Sequence, residues 1–232
     1  IRGVHSFLKA GQRWYRASAV AGPFALRTLY SRDLAAILRY QDVLFGICRR
    51  VSRCSAGRVE AAFNAALLEE PRLHGFDSPA DLGLRFMAIV PAKYWVGRPL
   101  KTPSFTVEGL EVGLSAWRRL NDARKHVYHG KANAYTILRR HSPDELAEAW
   151  SQLREVYIDV WAEAGHSSRD VAKRLTVLED KHRACRQRLL ARWQCMKVGV
   201  GQAAAVPSAV GLSEKRAEQL ADHLLSRWVR QH

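Results

Sequence analysis

The feature that most restricts the fold of this chain is a capped, amphipathic stretch at residues 130–161, GKANAYTILRRHSPDELAEAWSQLREVYIDVW. It begins as a basic arm and continues with a helix N-terminus, in which Ser142 is the N-cap, Pro143 takes the first helical position and Glu145 closes a capping box. Gly165 is expected to end this helix at the C′ position. The apolar residues that recur at helical spacing and predict one buried face are Leu146, Ala149, Trp150, Leu153, Tyr157, Val160, Trp161 and Ala164.

A second helix is expected directly after the first. Residues 166–168 form a tight connection, and Ser167 or Ser168 supplies the next N-cap. The helix is predicted over about residues 169–196. Its apolar positions are Val171, Leu175, Leu178, His182, Cys185, Leu189 and Trp193. A short connection between two helices with facing apolar sides predicts an antiparallel helical hairpin.

The charge of the chain indicates a polyanionic partner. Lys and Arg number 37 against 22 Asp and Glu, which gives a formal net charge of +15 and a pI near 10.2. Nucleic acid is the leading candidate, because neutralising phosphates releases counterions. An anionic membrane surface is the weaker candidate, and no membrane span is predicted, because no apolar run approaches the roughly 20 residues that a spanning helix needs.

The second helix of the hairpin carries a large share of this charge. Its cations are Lys173, Arg174, Lys181, Arg183, Arg186, Arg188 and Arg192, opposed by Asp170, Glu179 and Asp180. This density predicts phosphate binding. The residues expected to bind RNA are therefore Lys131, Arg139 and Arg140 on the arm, and Lys173, Arg174, Arg183, Arg186, Arg188 and Arg192 on the helix.

The N-terminal segment is basic and contains no acid before Asp33. Arg-rich, acid-poor composition is typical of mitochondrial transit peptides, and a basic ribonucleoprotein tail is the alternative. The aromatic residues between its positive charges are Phe7, Trp14, Tyr15, Phe24 and Tyr30. They suit either a segment that lies on RNA or one that docks on the protein's own helices.

The rest of the chain is expected to be helical or irregular. Helices are predicted over about residues 33–51, 58–70 and 107–129, with a short one after Ser78. Looping backbone is expected elsewhere between Pro71 and Pro103, where Lys93, Arg98 and Lys101 suit contact with RNA or protein equally well. The predicted fold class is all-α, an antiparallel two-helix hairpin core with helical and irregular extensions. Its four regions are 1–57 with one helix, 58–129, the hairpin at 130–198, and a linker with a C-terminal helix at 199–232.

No catalytic chemistry is predicted. The sequence has no glycine-rich phosphate loop, no G-x-S-x-G elbow and no H-E-x-x-H pair. His182 with Cys185, and His126 with His129, share helix faces, but two ligands fall short of the four that a structural zinc site uses. We therefore expect a protein that is not an enzyme and that holds no metal and no cofactor.

The hairpin resembles the mitochondrial branch of the large-subunit ribosomal protein twenty-nine family. The matching residues are Gly130, Lys131, Leu138, Arg139, His141, Ser142, Asp144, Glu145, Leu146, Trp150 and Leu153, without a gap. The resemblance covers less than a third of the chain and departs from the family pattern at Asn133, His141 and Pro143.

This resemblance implies a structural constituent of the mitochondrial ribosome, located in the mitochondrial matrix. In the family the hairpin lies on large-subunit rRNA near the polypeptide exit tunnel, beside the ribosomal protein twenty-three neighbour, and has no catalytic activity. The extensions would then bind neighbouring ribosomal proteins or RNA. The alternative is a non-catalytic scaffold subunit of another mitochondrial complex, such as a respiratory complex or ATP synthase, which does not account for the basic helix.

Overall fold

The computed structural model describes residues 3–124, 127 and 134–203, and the structural statements below concern those residues. Residues 1–190 form one compact unit, and the described residues from Ala191 onward belong to a second. The division into 1–57, 58–129, 130–198 and 199–232 stays a prediction.

An antiparallel six-stranded sheet, curled into a half-barrel, forms one layer of the first unit. Its strands are β1 (Val4–Lys9), β2 (Gln12–Ala21), β3 (Phe24–Arg27), β4 (Arg85–Val90), β5 (Leu100–Lys101) and β6 (Phe105–Thr106). Their order is β1-β2-β3-β4-β5, and β6 also pairs with β4. The turn between β1 and β2 holds Ala10 and Gly11 at φ values of +50° and +73°, the left-handed backbone that a two-residue hairpin requires.

Seven α-helices accompany the sheet within the described residues, and part of this set packs against its inner face. They are α1 (Leu34–Arg53), α2 (Val59–Leu73), α3 (Lys93–Val96), α4 (Leu110–Ala123), α5 (Ala134–Arg140), α6 (Pro143–Glu163) and α7 (Ser168–Ala203), with 3-10 turns at Ala56–Arg58 and Pro79–Leu82. The rings of Phe24 on β3 and Phe63 on α2 stack with centroids 4.0 Å apart, and Phe86 of β4 meets both edge-on. These three fully buried rings join the sheet to the helical layer.

The prediction of an all-α fold is therefore wrong. Residues 4–27, expected to be part of a helical and irregular extension, form three strands of the sheet, and the apolar piece LRFMAIV supplies the fourth. Alternation is the reason, because Tyr15, Ala17 and Ala19 on β2 point to the core while the residues between them point away. Arg13 and Arg16 within this strand hid the period of two behind a composition that suits a transit peptide.

The helix caps predicted from the sequence are confirmed. Ser142 Oγ accepts the backbone N–H of Glu145 at 3.2 Å, and Glu145 Oε2 accepts that of Ser142 at 2.7 Å, which closes the capping box. Gly165 ends α6 at a φ of +85°. Ser78 caps the short turn that begins at Pro79. One cap was not among those predicted: Asp33 Oδ1 accepts the N–H groups of Ala35 and Ala36 at the start of α1.

Several predicted boundaries are wrong. Helix α2 continues through Pro71, whose ring is buried, to Leu73, although a proline inside a helix removes the hydrogen bond that its N–H would make. Residues 134–140, expected as an arm, form α5, and α7 runs to Ala203 across the start of the predicted linker. Lys131, the end of the predicted helix over 107–129 and the C-terminal helix from Ser213 lie outside the described residues.

Candidate nucleic-acid interface

The helix α6 is fixed to the segment between β4 and β5. The indole rings of Trp95 and Trp150 stack at a centroid distance of 5.4 Å, and Trp95 Nε1 donates a hydrogen bond to the Leu146 carbonyl at 2.9 Å. Farther along, the Tyr157 hydroxyl donates to the Lys101 carbonyl at 2.7 Å. The apolar residues of the family-like motif are thus buried and architectural.

The helix α7 runs antiparallel to α6, which confirms the predicted hairpin. Gly165 turns the chain, and Ser167 Oγ caps α7 by accepting the N–H of Asp170 at 3.3 Å. Across the pair, Arg154 Nε lies 3.3 Å from Glu179 Oε1. Arg154 precedes the turn by about as many residues as Glu179 follows it, so the two helices lie opposite each other at this level.

One side of α7 packs against α3. A Cβ atom added to Gly97, whose φ is +76°, would lie only 2.8 Å from His182 Nδ1, so the imidazole sits directly on this glycine. Arg186 Nη1 reaches the Trp95 carbonyl at 3.5 Å. Burial lowers the pKa of His182, and the positive charges of Arg186 and Lys93 lower it further, against a hydrogen bond to the Tyr94 backbone that raises it.

The predicted RNA-binding residues fall in different surroundings. Arg139 and Arg140 are exposed in the last turn of α5. On α7, Arg186 is partly buried against α3, and Arg183 pairs with Asp180 of its own helix at 2.5 Å. The other predicted cations of α7 are exposed: Lys173, Arg174, Arg183 and Arg188 in the first unit and Arg192 in the second. The set therefore does not form a single surface.

Three cations of α7 do form a single surface. Arg174, Lys181 and Arg188 recur every seven residues, close to two helical turns, so they share one side of α7; we call them the α7 stripe. All three are exposed, and none forms an ion pair with any acid that the structure describes. Free guanidinium and ammonium groups in a row can bind successive phosphates.

The α7 stripe begins at a cleft between the hairpin and β5. This cleft has a volume of about 470 Å³ and carries three cations, Arg98, Lys101 and Arg174, with no acid among its lining residues. The rings of Tyr157 and Trp161 form part of its wall. Burial raises the pKa of Tyr157, while the charges of Arg98 and Arg174 act in the opposite direction. The cleft can thus hold an anionic group beside flat, apolar surface.

The sequence identified the cations of this region only in part. The helical pattern places Lys181 on the surface of the helix without distinguishing it from the other cations, and the sequence leaves the role of Arg98 and Lys101 open between RNA and protein. Helical spacing could have selected the stripe, because positions 174, 181 and 188 are visible in the sequence. No local signal could have joined Arg98 and Lys101 to it, because they lie more than 70 residues earlier in the chain, beside or within the two-residue strand β5.

Comparison of the chain with protein-family models, with curated protein sequences and with solved structures finds no match. Within the described residues, none of the helices combines the length and the hydropathy required to cross a membrane.

Proposed function

We propose that this protein is a non-catalytic RNA-binding constituent of a ribonucleoprotein, and that the particle is the large subunit of the mitochondrial ribosome. The resemblance of the hairpin to the ribosomal protein twenty-nine family supports the particle and its location in the mitochondrial matrix. The partners would be large-subunit rRNA near the exit tunnel and adjacent ribosomal proteins, including the protein twenty-three neighbour.

The observation that carries the proposal is the α7 stripe with its adjoining cleft. Three exposed cations at two-turn spacing lack acidic partners among the described residues, and the cleft at the end of the stripe adds Arg98 and Lys101. A surface that served only solubility would intersperse both signs of charge. A row of cations without acidic partners among the described residues favours a polyanion, because each phosphate that they neutralise releases a counterion.

The α6 side of the hairpin has a supporting role in this proposal. Its Trp150 and Tyr157 are committed to Trp95 and Lys101 of the same chain, so they hold α7 in position instead of reading RNA. Arg139 and Arg140, at the start of the hairpin, add two exposed cations whose likeness to the family arm supports a second RNA contact.

The test is incorporation into the particle. The double variant K181E/R188E reverses two exposed cations of the stripe and leaves Arg186 on its carbonyl, so we expect a folded protein that no longer sediments with large mitochondrial ribosomal subunits. The wild-type protein should sediment with them and be released by ribonuclease. Sedimentation of the wild-type protein with a respiratory or ATP synthase complex, unaffected by ribonuclease, would contradict the proposal and support the scaffold alternative.

A further inference from the structure

A second surface, on the sheet and not on a helix, has the chemistry of a nucleic-acid contact. In the β1–β2 hairpin Phe7 lies opposite Trp14 and His5 lies opposite Arg16. Directly opposed residues of antiparallel strands project from the same face, so these four side chains share one face of the sheet. The other face holds Tyr15, Ala17 and Ala19 against the core.

The chain after β3 adds a third row to this face. Ser31 pairs with Tyr15 through two backbone hydrogen bonds, of 2.7 Å and 2.9 Å, and shares its inward direction. Tyr30 and Arg32, one residue to either side of Ser31, therefore point outward with Trp14 and Arg16. We call this set, His5, Phe7, Trp14, Arg16, Tyr30 and Arg32, the outer sheet face.

Rings and cations alternate on the outer sheet face and hold one another in place. The Arg16 guanidinium lies 4.4 Å from the centre of the Tyr30 ring, and that of Arg32 lies 4.9 Å from the Trp14 ring. Phe7 meets Tyr30 edge-on with centroids 4.8 Å apart. These contacts order the long arginine side chains before any ligand arrives, which lowers the entropy lost on binding.

The surface is open, and its charge has one sign. Phe7 and Tyr30 keep 40% and 42% of their area exposed, although large apolar rings are usually buried. No acid precedes Asp33 in the sequence, and the Asp33 carboxylate is engaged in capping α1. Neither Arg16 nor Arg32 forms an ion pair with an acid among the described residues. Exposed rings beside such arginines are complementary to a ligand that carries both flat bases and phosphates.

We propose that the outer sheet face binds single-stranded RNA by stacking bases on Phe7, Tyr30 and the ordered guanidinium planes while Arg16 and Arg32 contact phosphates. A duplex hides its base faces and would use only the cations. The inference rests on the proposed RNA-binding function and adds a base-stacking surface to the phosphate-binding α7 stripe. It also assigns a role to the aromatic residues whose spacing among positive charges the sequence left open.

The variant F7A/Y30A tests this directly in the full-length protein. Fluorescence anisotropy with a short labelled oligouridine should show a loss of affinity of about tenfold or more, because each stacked base contributes on the order of 1–3 kcal/mol. The dependence of that affinity on salt should stay unchanged, since no cation is removed. Affinity for a duplex RNA of equal length should also stay unchanged, and F7Y/Y30F, which keeps both rings, should bind oligouridine as the wild type does.

Three results would overturn the inference. The first is an unchanged oligouridine affinity in folded F7A/Y30A, and the second is an equal loss of affinity for duplex RNA. The third is that F7A/Y30A loses affinity only for vesicles containing phosphatidylserine, measured beside the RNA ligands. Circular dichroism checks that F7A/Y30A is folded, and we expect it to be, because both substituted side chains are exposed. The two proposals fail separately. If F7A/Y30A loses oligouridine affinity while K181E/R188E still sediments with the large subunit, the stripe assignment falls and the outer sheet face stands; the reverse pattern rejects only the outer sheet face.

Discussion

At the scale of single residues, Trp150 is informative because it lies within the motif that resembles a ribosomal protein family and, as its helical spacing predicts, its surroundings are internal. The ring is 8% exposed and stacks on Trp95. Its Nε1 atom is buried and has no hydrogen-bond partner among the described residues. The side chain therefore acts through its flat apolar surface.

These surroundings predict unequal effects of two substitutions. Trp150→Ala removes the stacked ring and should lower the free energy of unfolding by about 3–5 kcal/mol. Trp150→Phe keeps a ring on Trp95 and removes an unpaired buried N–H, so its cost should stay below about 2 kcal/mol. Urea unfolding followed by circular dichroism measures both. Equal losses would contradict the stacking role and point to a partner for the indole nitrogen.

Residue-scale features were the most predictable from the sequence. Ser78, Ser142 and Gly165 cap their helices as predicted, because a cap depends on residues within one turn of it. Trp95 could not be predicted as the partner of Trp150. The two are far apart in the chain, and only the folded sheet brings the segment between β4 and β5 against α6.

At the scale of elements, the helices were predictable and the strands were not. Helices α1, α4, α6 and α7 each repeat apolar residues over at least three turns, which gives a signal that survives errors at the ends. Strands β5 and β6 are two residues long and carry no periodicity at all. β1 and β2 do alternate, but their outward positions hold rings and arginines, the residues that form the outer sheet face.

The docking of α7 on α3 predicts a pH dependence of stability. The pKa of His182 lies below its ordinary value of 6.5 in the folded protein, chiefly through burial and then through Arg186 and Lys93. Above pH 6.5 the imidazole is neutral in both the folded and the unfolded protein, so the contribution of His182 to stability is fully present. As the pH falls below 6.5 the unfolded chain takes up the proton first, so this contribution to stability is lost as the pH approaches the lowered value.

His182→Gln removes the titrating ring and keeps a donor for the Tyr94 carbonyl. Its thermal midpoint should therefore fall less than that of the wild type between about pH 7.5 and pH 5.5, the range in which an ordinary histidine titrates. Differential scanning calorimetry gives the thermal midpoint of both proteins at both pH values. The contributions of the other titrating groups cancel when the pH-dependent shift of the variant is subtracted from that of the wild type. Parallel curves for the two proteins would contradict the shifted pKa.

At the scale of the whole molecule, the net charge favours a polyanionic partner but indicates no place for it to bind. The formal charge of +15 says only that a polyanion is favoured. The fold then distributes the cations unequally: Arg186 packs on a carbonyl, and Arg119 pairs with Glu163 at 2.7 Å, while the α7 stripe and the outer sheet face stay unopposed by acids within the described chain. Composition cannot make this distinction, because pairing depends on which helices meet.

Two variants of equal net charge separate location from total charge. K181E/R188E alters the α7 stripe, and R169E/R183E alters two exposed arginines on the other flank of the same helix. If position matters, only the first should weaken RNA binding, and the slope of log affinity against log salt should become shallower by roughly 1.4–1.8, about 0.7–0.9 for each lost phosphate contact. Anisotropy titrations over a range of salt concentrations measure both slopes. The control variant R169E/R183E should bind RNA nearly as the wild type does, because Arg183 already forms an ion pair with Asp180.

Equal losses of affinity in the two variants would mean that RNA binding depends on the overall charge of α7 and not on the α7 stripe.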